Sequence, residues 1–379
     1  MKILSLFDGI SCARVALERA GIPIEAYYAS EVDKYAIQIS KKNYPDIRHI
    51  GDVKTNYGTL NGFYYPTEGG HFIETKIDLL IGGSPCQDLS IAKKNRKGLD
   101  GERSGLFWEY VRILKEVKPK YFILEDVASM PKEAKAIITE ALGVEPIMIN
   151  ASLVSAQNRK RLFWVGKRID IYNSDNTYSA TEYQKVDVTQ PEDKGILLKD
   201  ILESGESDRL KSYCIDANYH KGSNWRQYKE KGRRQLVIGS QRIGDIGTNA
   251  QAHRVYSPEG KSVALSALGG GQGAKTGLYA VAQRGRNIVD GKRKDILGAK
   301  TEQRIEIGGS EKAHTITSVF KDSMVMENMQ IRKLTPIECE RLQGLPDNYT
   351  EGISNTQRYK CCGNAFNVDV IAHILSYIK

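Results

Sequence analysis

The residue best suited to covalent chemistry is a cysteine in the segment GGSPCQDLS, residues 82–90. Two glycines permit a tight turn in this segment, and Pro85 restricts the backbone just before Cys86. A short apolar run typical of a strand precedes the segment, so we expect Cys86 on a loop at a strand end, where it can act as a nucleophile. Thiolates attack soft carbon centres without a metal. Buried packing is the alternative for a free cysteine, and it is the expectation for Cys12, Cys214, Cys339, Cys361 and Cys362.

An acidic motif and a basic motif follow the cysteine along the chain. The run LEDV places Glu125 at the end of the next predicted strand, and a carboxyl beside a thiol suggests attack on a base with control of that base's protons. The run QNRKR carries Gln157, Arg159 and Arg161 on alternate positions ahead of another strand. Alternate residues of a strand point the same way, so both guanidiniums are expected to face one anionic site. A solvated basic run is the alternative.

A possible cofactor site begins in the first predicted strand, which ends in FDGIS. Gly9 permits a tight strand-to-helix turn and close approach of a ligand to the backbone. Glu31 ends the second predicted strand, where an acidic side chain can accept hydrogen bonds from ribose hydroxyls. This pattern indicates a nucleoside cofactor, and an ordinary turn with a solvated glutamate is the alternative. The sequence lacks a GxGxxG run after the strand, which argues against a nicotinamide cofactor.

Strand and helix patterns alternate in the first 168 residues, which predicts an α/β fold with a doubly wound, mostly parallel sheet. Such sheets bind ligands at the carboxyl ends of their strands. The predicted strands are Lys2–Phe7, Ala26–Glu31, Asp78–Gly82, Tyr121–Glu125, Pro146–Ala151 and Leu162–Gly166, and the predicted helices are Cys12–Ala20, Lys34–Lys42, Leu106–Lys115 and Lys132–Leu142. The segment Lys54–Lys76, rich in Gly, Tyr and Thr, is predicted to be an irregular insertion.

The remainder of the chain changes character twice. From about Asp170 to Glu327 it is rich in Gly, Ser, Lys and Arg, with short strand-like runs that predict a smaller, irregular, β-rich domain. Helical patterns return in LTPIECERLQG, where Thr335 is a natural N-cap, and in NVDVIAHILSYIK near the end. We therefore predict one domain from residues 1–168 plus 330–379, and a second domain from residues 169–329.

Composition narrows the class of protein. The formal net charge is +9, and excess positive charge favours polyanionic partners. The six cysteines form no CxxC pair, so we expect neither a metal site nor a disulfide framework. The chain has no apolar stretch long enough to cross a membrane and no signal-peptide pattern, so a cytoplasmic protein without a membrane partner is expected.

Together these motifs resemble one protein family. FDGIS, GGSPCQ, LEDV, QNRKR and, near the end, GNAF occur in the order typical of DNA (cytosine-5) methyltransferases. The resemblance covers residues 1–168 and 330–379, and it leaves the middle region as the family's target-recognition domain. It implies the fold of S-adenosylmethionine-dependent methyltransferases, S-adenosyl-L-methionine as cofactor and double-stranded DNA as substrate. Three positions depart from the family pattern: Ser11 stands where the last glycine of FxGxG is common, Val32 where an aromatic residue is often found, and Asp126 where asparagine is usual.

The resemblance implies a role for each matching residue. The target cytosine flips out of the duplex, Cys86 adds to C6, and Glu125 holds N3 and the exocyclic amine. Arg159 and Arg161 hold the flipped nucleotide and a neighbouring phosphate, and Arg161 also supports Glu125. Asp52 accepts from the adenine amine, and an exposed turn residue is its alternative. The positions matched on the cofactor side are Phe7, Gly9, Ile10, Glu31, Val32, Asp52, Pro85, Leu106 and Asn364.

Sequence selection is expected from the middle region, because Arg can bind guanine, and Asn or Gln can bind adenine, in the major groove. The candidate DNA-binding residues are Gln87, Ser90, Arg233, Arg234, Gln241, Arg242 and Arg254. Contact with phosphates alone is the alternative for these arginines.

Two other functions compete with this one. An RNA cytosine-5 methyltransferase uses the same scaffold, but the large middle region favours DNA. A catalytically inactive DNA-binding relative is disfavoured, because the cysteine, glutamate and arginines are all retained. We expect a monomer of bacterial or phage origin, and the sequence leaves open whether a cognate restriction endonuclease exists.

Overall fold

The computed structural model describes most of the first 238 residues and the C-terminal part of the chain. The described residues are 1–59, 62–65, 71–73, 76–84, 105–205, 207–221, 228, 231–232, 234–238 and 331–378, together with the strand segments 244–245, 254–255, 280–286, 288–289, 292–293, 302–307 and 324–325.

Strands and helices alternate in the first half of the chain, as the sequence predicts. The strands up to residue 185 are β1 Lys2–Leu6, β2 Ala26–Ser30, β3 Arg48–His49, β4 Tyr57–Thr59, β5 Gly62–Tyr65, β6 His71–Ile73, β7 Leu79–Gly82, β8 Tyr121–Val127, β9 Ile147–Asn150, β10 Lys160–Tyr172 and β11 Tyr178–Lys185. The described helices are α1 Cys12–Arg19, α2 Lys34–Asn43, α3 Leu106–Val117, α4 Lys132–Leu142, α5 Leu198–Ile201, α6 Pro336–Leu342, α7 Asn355–Asn364 and α8 Val368–Leu375.

The main sheet has the strand order β11-β10-β8-β7-β1-β2-β3, and β9 pairs with β10. The pairs β8–β7, β7–β1, β1–β2 and β2–β3 are parallel, whereas β10 runs antiparallel to β8, β9 and β11. The prediction of an α/β fold with a mostly parallel sheet is therefore confirmed.

Helices cover both faces of this sheet, because successive strand residues point to opposite sides. Ile3 of β1 lies in a core with residues of α1, α2 and α8. The next residue, Leu4, lies in a second core with residues of α3 and α4. Both side chains are fully buried, and burial of a side chain of this size contributes about 1.5–3 kcal/mol. The sheet is thus doubly wound, as predicted.

Side-chain caps fix where several helices begin. Asp33 accepts hydrogen bonds from two main-chain N–H groups at the start of α2. Thr335 and Glu338 form a capping box at the start of α6, which confirms the N-cap predicted from LTPIECERLQG. The side chain of Asn367 caps α8 by accepting a hydrogen bond from the N–H of Val370. Each cap satisfies donors that the first turn leaves unpaired.

The chain forms two compact units whose bounds differ from the predicted ones. The first unit contains Met1–Ile201, Arg209–Gln235 and Leu334–Lys379, and the second contains Leu202–Asp208 and Leu236–Lys333. The predicted boundary at residue 168 falls inside β10, which continues to Tyr172 and pairs with β11 in the same sheet. This long antiparallel ribbon keeps the chain in the first unit for about 33 residues more than predicted.

The segment predicted to be an irregular insertion contains ordered strands. Strands β4, β5 and β6 form an antiparallel sheet of three. The N–H of Gly58 in β4 donates to Glu116 of α3 at 2.8 Å, and a Cβ at this glycine would lie 2.8 Å from Val117. The prediction for Lys54–Lys76 is therefore wrong in its described part, because close packing on α3 orders a segment that lacks a clear strand pattern.

The second unit is rich in short strands, as predicted for the middle region. All its described strand pairs are antiparallel. Its strands are β12 Leu236–Ile238, β13 Gly244–Asp245, β14 Arg254–Val255, β15 Ala280–Arg286, β16 Ile288–Val289, β17 Lys292–Arg293, β18 Glu302–Ile307, β19 Met324–Val325 and β20 Ile331–Lys333. Across the described parts of both units, no helix could span a membrane and no cluster of His, Cys, Asp and Glu could hold a metal ion.

Candidate active site

The polar residues singled out in the sequence lie at one edge of the main sheet. Because β1, β2, β7 and β8 are parallel, their carboxyl ends meet at this edge. The turn after β1, Glu31 after β2, Gly83 after β7 and Glu125 in the last half of β8 are thereby brought to the same side of the sheet. The two ends of this edge are named for the roles that the family resemblance implies. The base side lies at β7, β8 and β10, and the cofactor side lies at β1 and β2.

The base side is organised by an ion pair between β8 and β10. The Nε of Arg161 lies 2.7 Å from Oε1 of Glu125, and the two side chains are only 17% and 13% exposed. At this distance and degree of burial the contact is a charge-assisted hydrogen bond that fixes the direction of the carboxylate. A Cβ at Gly83 would lie 3.0 Å from Oε2 of Glu125 and 2.8 Å from the Phe366 ring. Gly83 therefore allows the chain leaving β7 to pass directly against the carboxylate.

Arg159 lines the same pocket as Arg161, but it binds main-chain carbonyl groups and not a carboxylate. Its guanidinium donates to the main-chain carbonyls of Ile215 at 3.1 Å, Gly363 at 3.3 Å and Ala365 at 2.8 Å. The side chain is 4% exposed, and burial together with the neighbouring Arg161 charge lowers its pKa. Arg159 thus joins the start of β10 to two distant segments of the first unit.

The sequence predicted that Arg159 and Arg161 point the same way and face one anion. The two arginines do point into one pocket, but they bind different partners. Both line one pocket, whose walls are Glu125, Ile149, Ala151, Arg159, Arg161, Phe163, Phe366, Asn367 and Val370. The anion that Arg161 binds in this structure is the chain's own Glu125. Gln157 is buried, accepts from the N–H of Ile215 and donates to the carbonyl of Leu342. The expectation that both guanidiniums face one anionic site is therefore corrected, because Arg159 uses its donors on carbonyl groups.

Next to Glu125, Asp126 is a nearly fully buried acid. Its Oδ1 accepts a hydrogen bond from the N–H of Val127 at 2.6 Å, and its Oδ2 is buried with no hydrogen-bond partner among the described residues. Burial is the largest influence on this group and raises its pKa to about 8; the Val127 hydrogen bond acts in the opposite direction, and the charge of Glu125 adds to the increase. Burial therefore favours the protonated form of Asp126.

On the cofactor side, the turn after β1 has an unusual backbone. Phe7, Gly9 and Ser11 have φ angles of 56°, 61° and 61°, in the left-handed region that favours glycine. The hydroxyl of Ser11 donates to Asp8 at 2.5 Å and lies 2.6 Å from the hydroxyl of Ser40. These bonds compensate for the conformation of Ser11, which explains how serine occupies a position where the family commonly has glycine.

Asp8 lies beneath the same turn. Its Oδ1 accepts from the hydroxyl of Tyr27 at 2.6 Å, and its Oδ2 accepts from Ser11. Burial raises the pKa of Asp8 to about 6, although these hydrogen bonds act in the opposite direction. Asp8 is therefore a structural acid of the turn, and at 5% exposure it has little surface to offer a ligand.

Glu31 holds the turn through main-chain contacts. Its Oε2 accepts from the N–H of Gly9, and its Oε1 accepts from the N–H groups of Val32 and Asp33, each at 2.8 Å. Val32 follows with a side chain that is 69% exposed. The Glu31 carboxylate therefore connects the turn after β1 to the end of β2. Its position at the end of the second strand is the one that the sequence predicts.

The other predicted cofactor residues lie in varied settings. Asp52 is exposed and accepts from the N–H of Lys54. Asn364, the last residue of α7, is exposed, and Phe7 and Leu106 are partly buried. Ile10 is 1% exposed within the core, so its side chain has almost no surface to offer a ligand, and its place among the cofactor residues stays a prediction. Its burial follows from the turn geometry, which points Ile10 at α1 and α8.

Several predicted residues fall outside the described part of the chain. These are Pro85, Cys86, Gln87, Ser90, Arg233, Gln241 and Arg242. Arg254 belongs to β14, with its backbone alone described. Arg234 belongs to the first unit, not to the middle domain in which it was predicted, because the segment 209–235 packs with the first unit. The expectation of buried packing holds for four other cysteines, namely Cys12, Cys339, Cys361 and Cys362.

Sequence reasoning missed the residues that hold Arg159. The carbonyl groups of Ile215 and Gly363 carry no signal of their own, because any residue supplies a carbonyl. Gly363 does have a structural reason, since a Cβ there would lie 2.2 Å from the main chain of Asp216. The motif GNAF could have indicated this close approach through its glycine, but not the partner segment.

Comparisons with known proteins relate this chain to one family of methyltransferases. A family model described as C-5 cytosine-specific DNA methylase matches residues 1–379. The chain is 27% identical to the orphan methyltransferase M.SPRI of Bacillus phage SPR, over 99% of this chain and 96% of that protein. It is 26% identical to the type II methyltransferase M.HhaI of Haemophilus parahaemolyticus, over 99% of this chain and 93% of that protein.

Solved structures give the same fold. The Entamoeba histolytica methyltransferase EhMeth is similar with a TM-score of 0.57 at 14% identity, over 100% of this chain and 97% of that chain. The S. pombe Dnmt2 methyltransferase is similar with a TM-score of 0.51 at 16% identity, over 99% and 97%. At these identities the likeness shows the fold alone, which is an α/β fold shared with these two methyltransferases. With a family model that matches its whole length, this chain belongs to the C-5 cytosine-specific DNA methylase family.

Proposed function

We propose that the protein transfers a methyl group from S-adenosylmethionine to carbon 5 of a cytosine in double-stranded DNA. The observation that carries this proposal is the Glu125–Arg161 pair, whose carboxylate lies against Gly83, three residues before Cys86. Covalent geometry limits the Cα atoms of residues three apart to about 11 Å. A thiol and an oriented carboxylate within this reach can act on one base.

The cofactor side fits the nucleoside part of S-adenosylmethionine. A Cβ at Gly9 would meet nothing within 4 Å, so the backbone of the turn is open to a ligand. Glu31 stands at the end of β2 to accept from ribose hydroxyls, and the exposed Val32 offers apolar surface to a ring. Asp52 is exposed near the end of β3 and can accept from an amine. S-adenosylmethionine, when bound, supplies the methyl group.

The proposed mechanism assigns distinct tasks to the side chains. The cytosine leaves the base stack, because its ring carbons are out of reach within the duplex. The Cys86 thiolate forms a bond to C6, and the electron pair of the C5–C6 double bond makes C5 nucleophilic. Glu125 holds N3 and the exocyclic amine and stabilises charge on the ring, while Arg161 keeps the carboxylate oriented. After methylation, the C5 proton leaves and the Cys86–C6 bond breaks, which restores the double bond and the thiolate.

Arg159 supports this site as a positioning residue. Its guanidinium binds the carbonyls of Gly363 and Ala365, which flank the exposed Asn364 on the predicted cofactor side. The same guanidinium binds Ile215 in a segment that continues along the chain to the second unit. We infer that Arg159 fixes these main-chain segments while Arg161 acts on Glu125.

Selection of the DNA sequence is assigned to the second unit. This unit contains the candidate base-reading residues Gln241, Arg242 and Arg254, and arginine and glutamine side chains suit contacts with base edges. Substituting Arg254 by Ala should relax the preference at one position of the methylated motif and cost about 1–3 kcal/mol. Uniform weakening on all sequences would instead assign Arg254 to a phosphate.

The setting of the enzyme is inferred from its relatives, which come from bacteria and their phages. We propose a bacterial or phage-encoded cytoplasmic enzyme that acts as a monomer. Light scattering of the purified protein tests the oligomeric state.

A mechanism-based trap tests the proposed chemistry. A duplex with 5-fluorocytosine at the target should capture the enzyme covalently in the presence of S-adenosylmethionine, because fluorine cannot leave as the C5 proton does. Cys86→Ala should give no covalent adduct while still binding the duplex, and Cys214→Ala is the matched control that should be captured normally. An adduct of unchanged yield in Cys86→Ala contradicts the assignment.

A further inference from the structure

A chain of side-chain hydrogen bonds runs beneath the turn after β1. The hydroxyl of Ser11 lies 2.5 Å from Oδ2 of Asp8 and 2.6 Å from the hydroxyl of Ser40. The Ser40 hydroxyl in turn lies 3.2 Å from Nε2 of His49. Asp8, Ser11 and Ser40 are buried, and His49 is half-buried. The chain of bonds therefore leads from the interior of the turn to a partly exposed imidazole on β3.

The two ends of this chain of bonds belong to different parts of the proposed cofactor side. Asp8 belongs to the turn that contains Gly9. His49 is the last residue of β3 and lies three positions before Asp52. Ser40 lies in α2, which connects β2 to β3 along the sequence. The Ser40 hydroxyl therefore links the turn to the strand that leads into Asp52.

Proton counting gives the chain of bonds a direction. A carboxylate only accepts hydrogen bonds, and each serine hydroxyl has a single proton to donate. When Asp8 is ionised, Ser11 donates to it, so the short contact between the two hydroxyls requires Ser40 to donate to Ser11. Ser40 then has no proton left, and His49 must supply the Nε2–H. Nδ1 of His49 is buried without a hydrogen-bond partner in the part of the chain that the structure describes, so no acceptor there competes for the ring proton.

Tyr27 supports the same direction from the other oxygen of Asp8. Its hydroxyl donates to Oδ1 at 2.6 Å, and its side chain is buried on β2. Asp8 thus receives one hydroxyl proton on each carboxylate oxygen, from Tyr27 and from Ser11. Hydrogen bonds to an ionised acceptor are stronger than those between neutral groups. The ionised carboxylate is therefore the form that suits this arrangement of donors.

We propose that Ser40 is a positioning residue for the cofactor, because its hydroxyl completes a directed chain of hydrogen bonds from His49 to Asp8 that holds the turn at Gly9 in place relative to β3. This inference deepens the proposed methyltransferase function and rests on it. Ser11 has a φ angle of 61°, and a residue with a Cβ adopts this conformation only at a cost. Without the Ser40 hydroxyl, Ser11 and His49 each lose a partner, and the turn can relax away from the shape that the cofactor meets.

Calorimetric titration with S-adenosylmethionine tests the positioning role. Ser40→Ala should bind the cofactor about tenfold more weakly than the wild type, because the lost hydroxyl leaves two groups of the chain of bonds unpaired. Ser155→Ala is the matched control, since it removes another buried serine hydroxyl, which donates to the carbonyl of Leu342. Its affinity should stay within about twofold, because distant sites act independently. At saturating cofactor, the methyl-transfer rate of Ser40→Ala should stay within about threefold of the wild type, since the change affects binding and not the reacting groups.

Nitrogen NMR of the histidine rings gives a second readout that needs neither cofactor nor activity. Burial raises the pKa of Asp8 to about 6, so this acid is ionised at about pH 8. The wild type should then show His49 as the neutral Nε2–H tautomer, with its signals assigned by comparison with His49→Gln. Asp8→Asn should switch His49 to the Nδ1–H tautomer. Tyr27 donates to the amide oxygen as it does to Oδ1, the amide N–H donates to Ser11, and each following bond reverses.

The outcomes separate this inference from the proposed function. Unchanged cofactor affinity in Ser40→Ala, or an equal loss in Ser155→Ala, overturns the positioning role. An Nδ1–H tautomer of His49 in the wild type, or an unchanged tautomer in Asp8→Asn, overturns the directed chain of bonds. If Ser40→Ala does not fold, His49→Ala takes its place, because it removes the donor at the half-buried end, and the same loss of affinity is expected. A wild type that binds no S-adenosylmethionine overturns the proposed function, and the ring tautomer still decides the direction of the bonds.

Discussion

The two sides of the sheet edge are built by different means. On the cofactor side, Glu31 accepts three main-chain N–H groups, and the turn relies on left-handed backbone at Gly9 and Ser11. On the base side, side chains bind side chains, since Arg161 and Glu125 form a buried ion pair across two strands. One side is shaped by backbone conformation, and the other by the placement of charge.

This difference suits what each side is proposed to do. A nucleoside cofactor needs a surface of fixed shape that approaches its sugar and ring closely, and a backbone turn supplies such a surface without moving during the reaction. A base under attack develops charge, so its site needs a carboxylate held in one direction by a cation. We therefore expect changes on the base side to affect the rate constant, and changes on the cofactor side to affect the affinity for S-adenosylmethionine.

The largest effect is expected on the base side, from removal of Arg161. Arg161→Ala leaves Glu125 largely buried without its cation, and misplacement of a group that manages protons should lower kcat by about 10²–10⁴-fold. The dissociation constant for S-adenosylmethionine should stay within about twofold of the wild type. Lys160→Ala removes an adjacent exposed charge and is the matched control, with an expected change below about threefold. A loss of cofactor affinity equal to the loss of kcat would end the distinction between the two sides.

A smaller effect is expected on the cofactor side, from Glu31. Glu31→Ala removes the acceptor for three N–H groups and the proposed partner of the ribose, so calorimetry should show S-adenosylmethionine binding weakened by about 1–3 kcal/mol. Glu31→Gln keeps the shape and part of the acceptor capacity and should lose less. Asp52→Ala should weaken binding within the same range. Unchanged affinity in all three variants would move the cofactor site elsewhere.

The smallest effect is expected from the backbone at Ser11. Ser11→Gly and Ser11→Ala both lose the hydrogen bonds to Asp8 and Ser40, but only glycine accepts the left-handed conformation freely. Urea unfolding should therefore find Ser11→Ala less stable than Ser11→Gly by about 1–2 kcal/mol. Equal stabilities would show that the turn relaxes and that its backbone does not shape the site.

The sequence predicted the local structure at the ends of β1 and β2 better than the side-chain contacts between β8 and β10. The turn after β1, the strand ends and the helix cap at Thr335 depend on local signals such as glycine, alternation and a capping box. The fold class followed from the same signals. The boundary at residue 168 was misplaced, because the pairing of β10 with β11 joins the sheet to a stretch whose composition resembles the middle region.

The partners on the base side depend on tertiary contacts that no local pattern encodes. Glu125 and Arg161 are 36 positions apart, and Arg159 binds carbonyls 56 and 204 positions away. The motifs identified these residues, but two equivalent arginines in sequence proved to have different partners in the structure. The raised pKa of Asp126 was equally hidden, since burial and not residue type determines it.

The most direct test of the central claim compares two nucleic acids under one set of conditions. Transfer of a labelled methyl group from S-adenosylmethionine should be measured on duplex DNA and on tRNA, with bisulfite sequencing of the products and Cys86→Ala as the blank. The account predicts 5-methylcytosine in a defined sequence context of the duplex, and no incorporation into tRNA above the Cys86→Ala blank. Methylation of tRNA with unmodified DNA would contradict the DNA substrate, and label on neither nucleic acid would contradict the proposed activity.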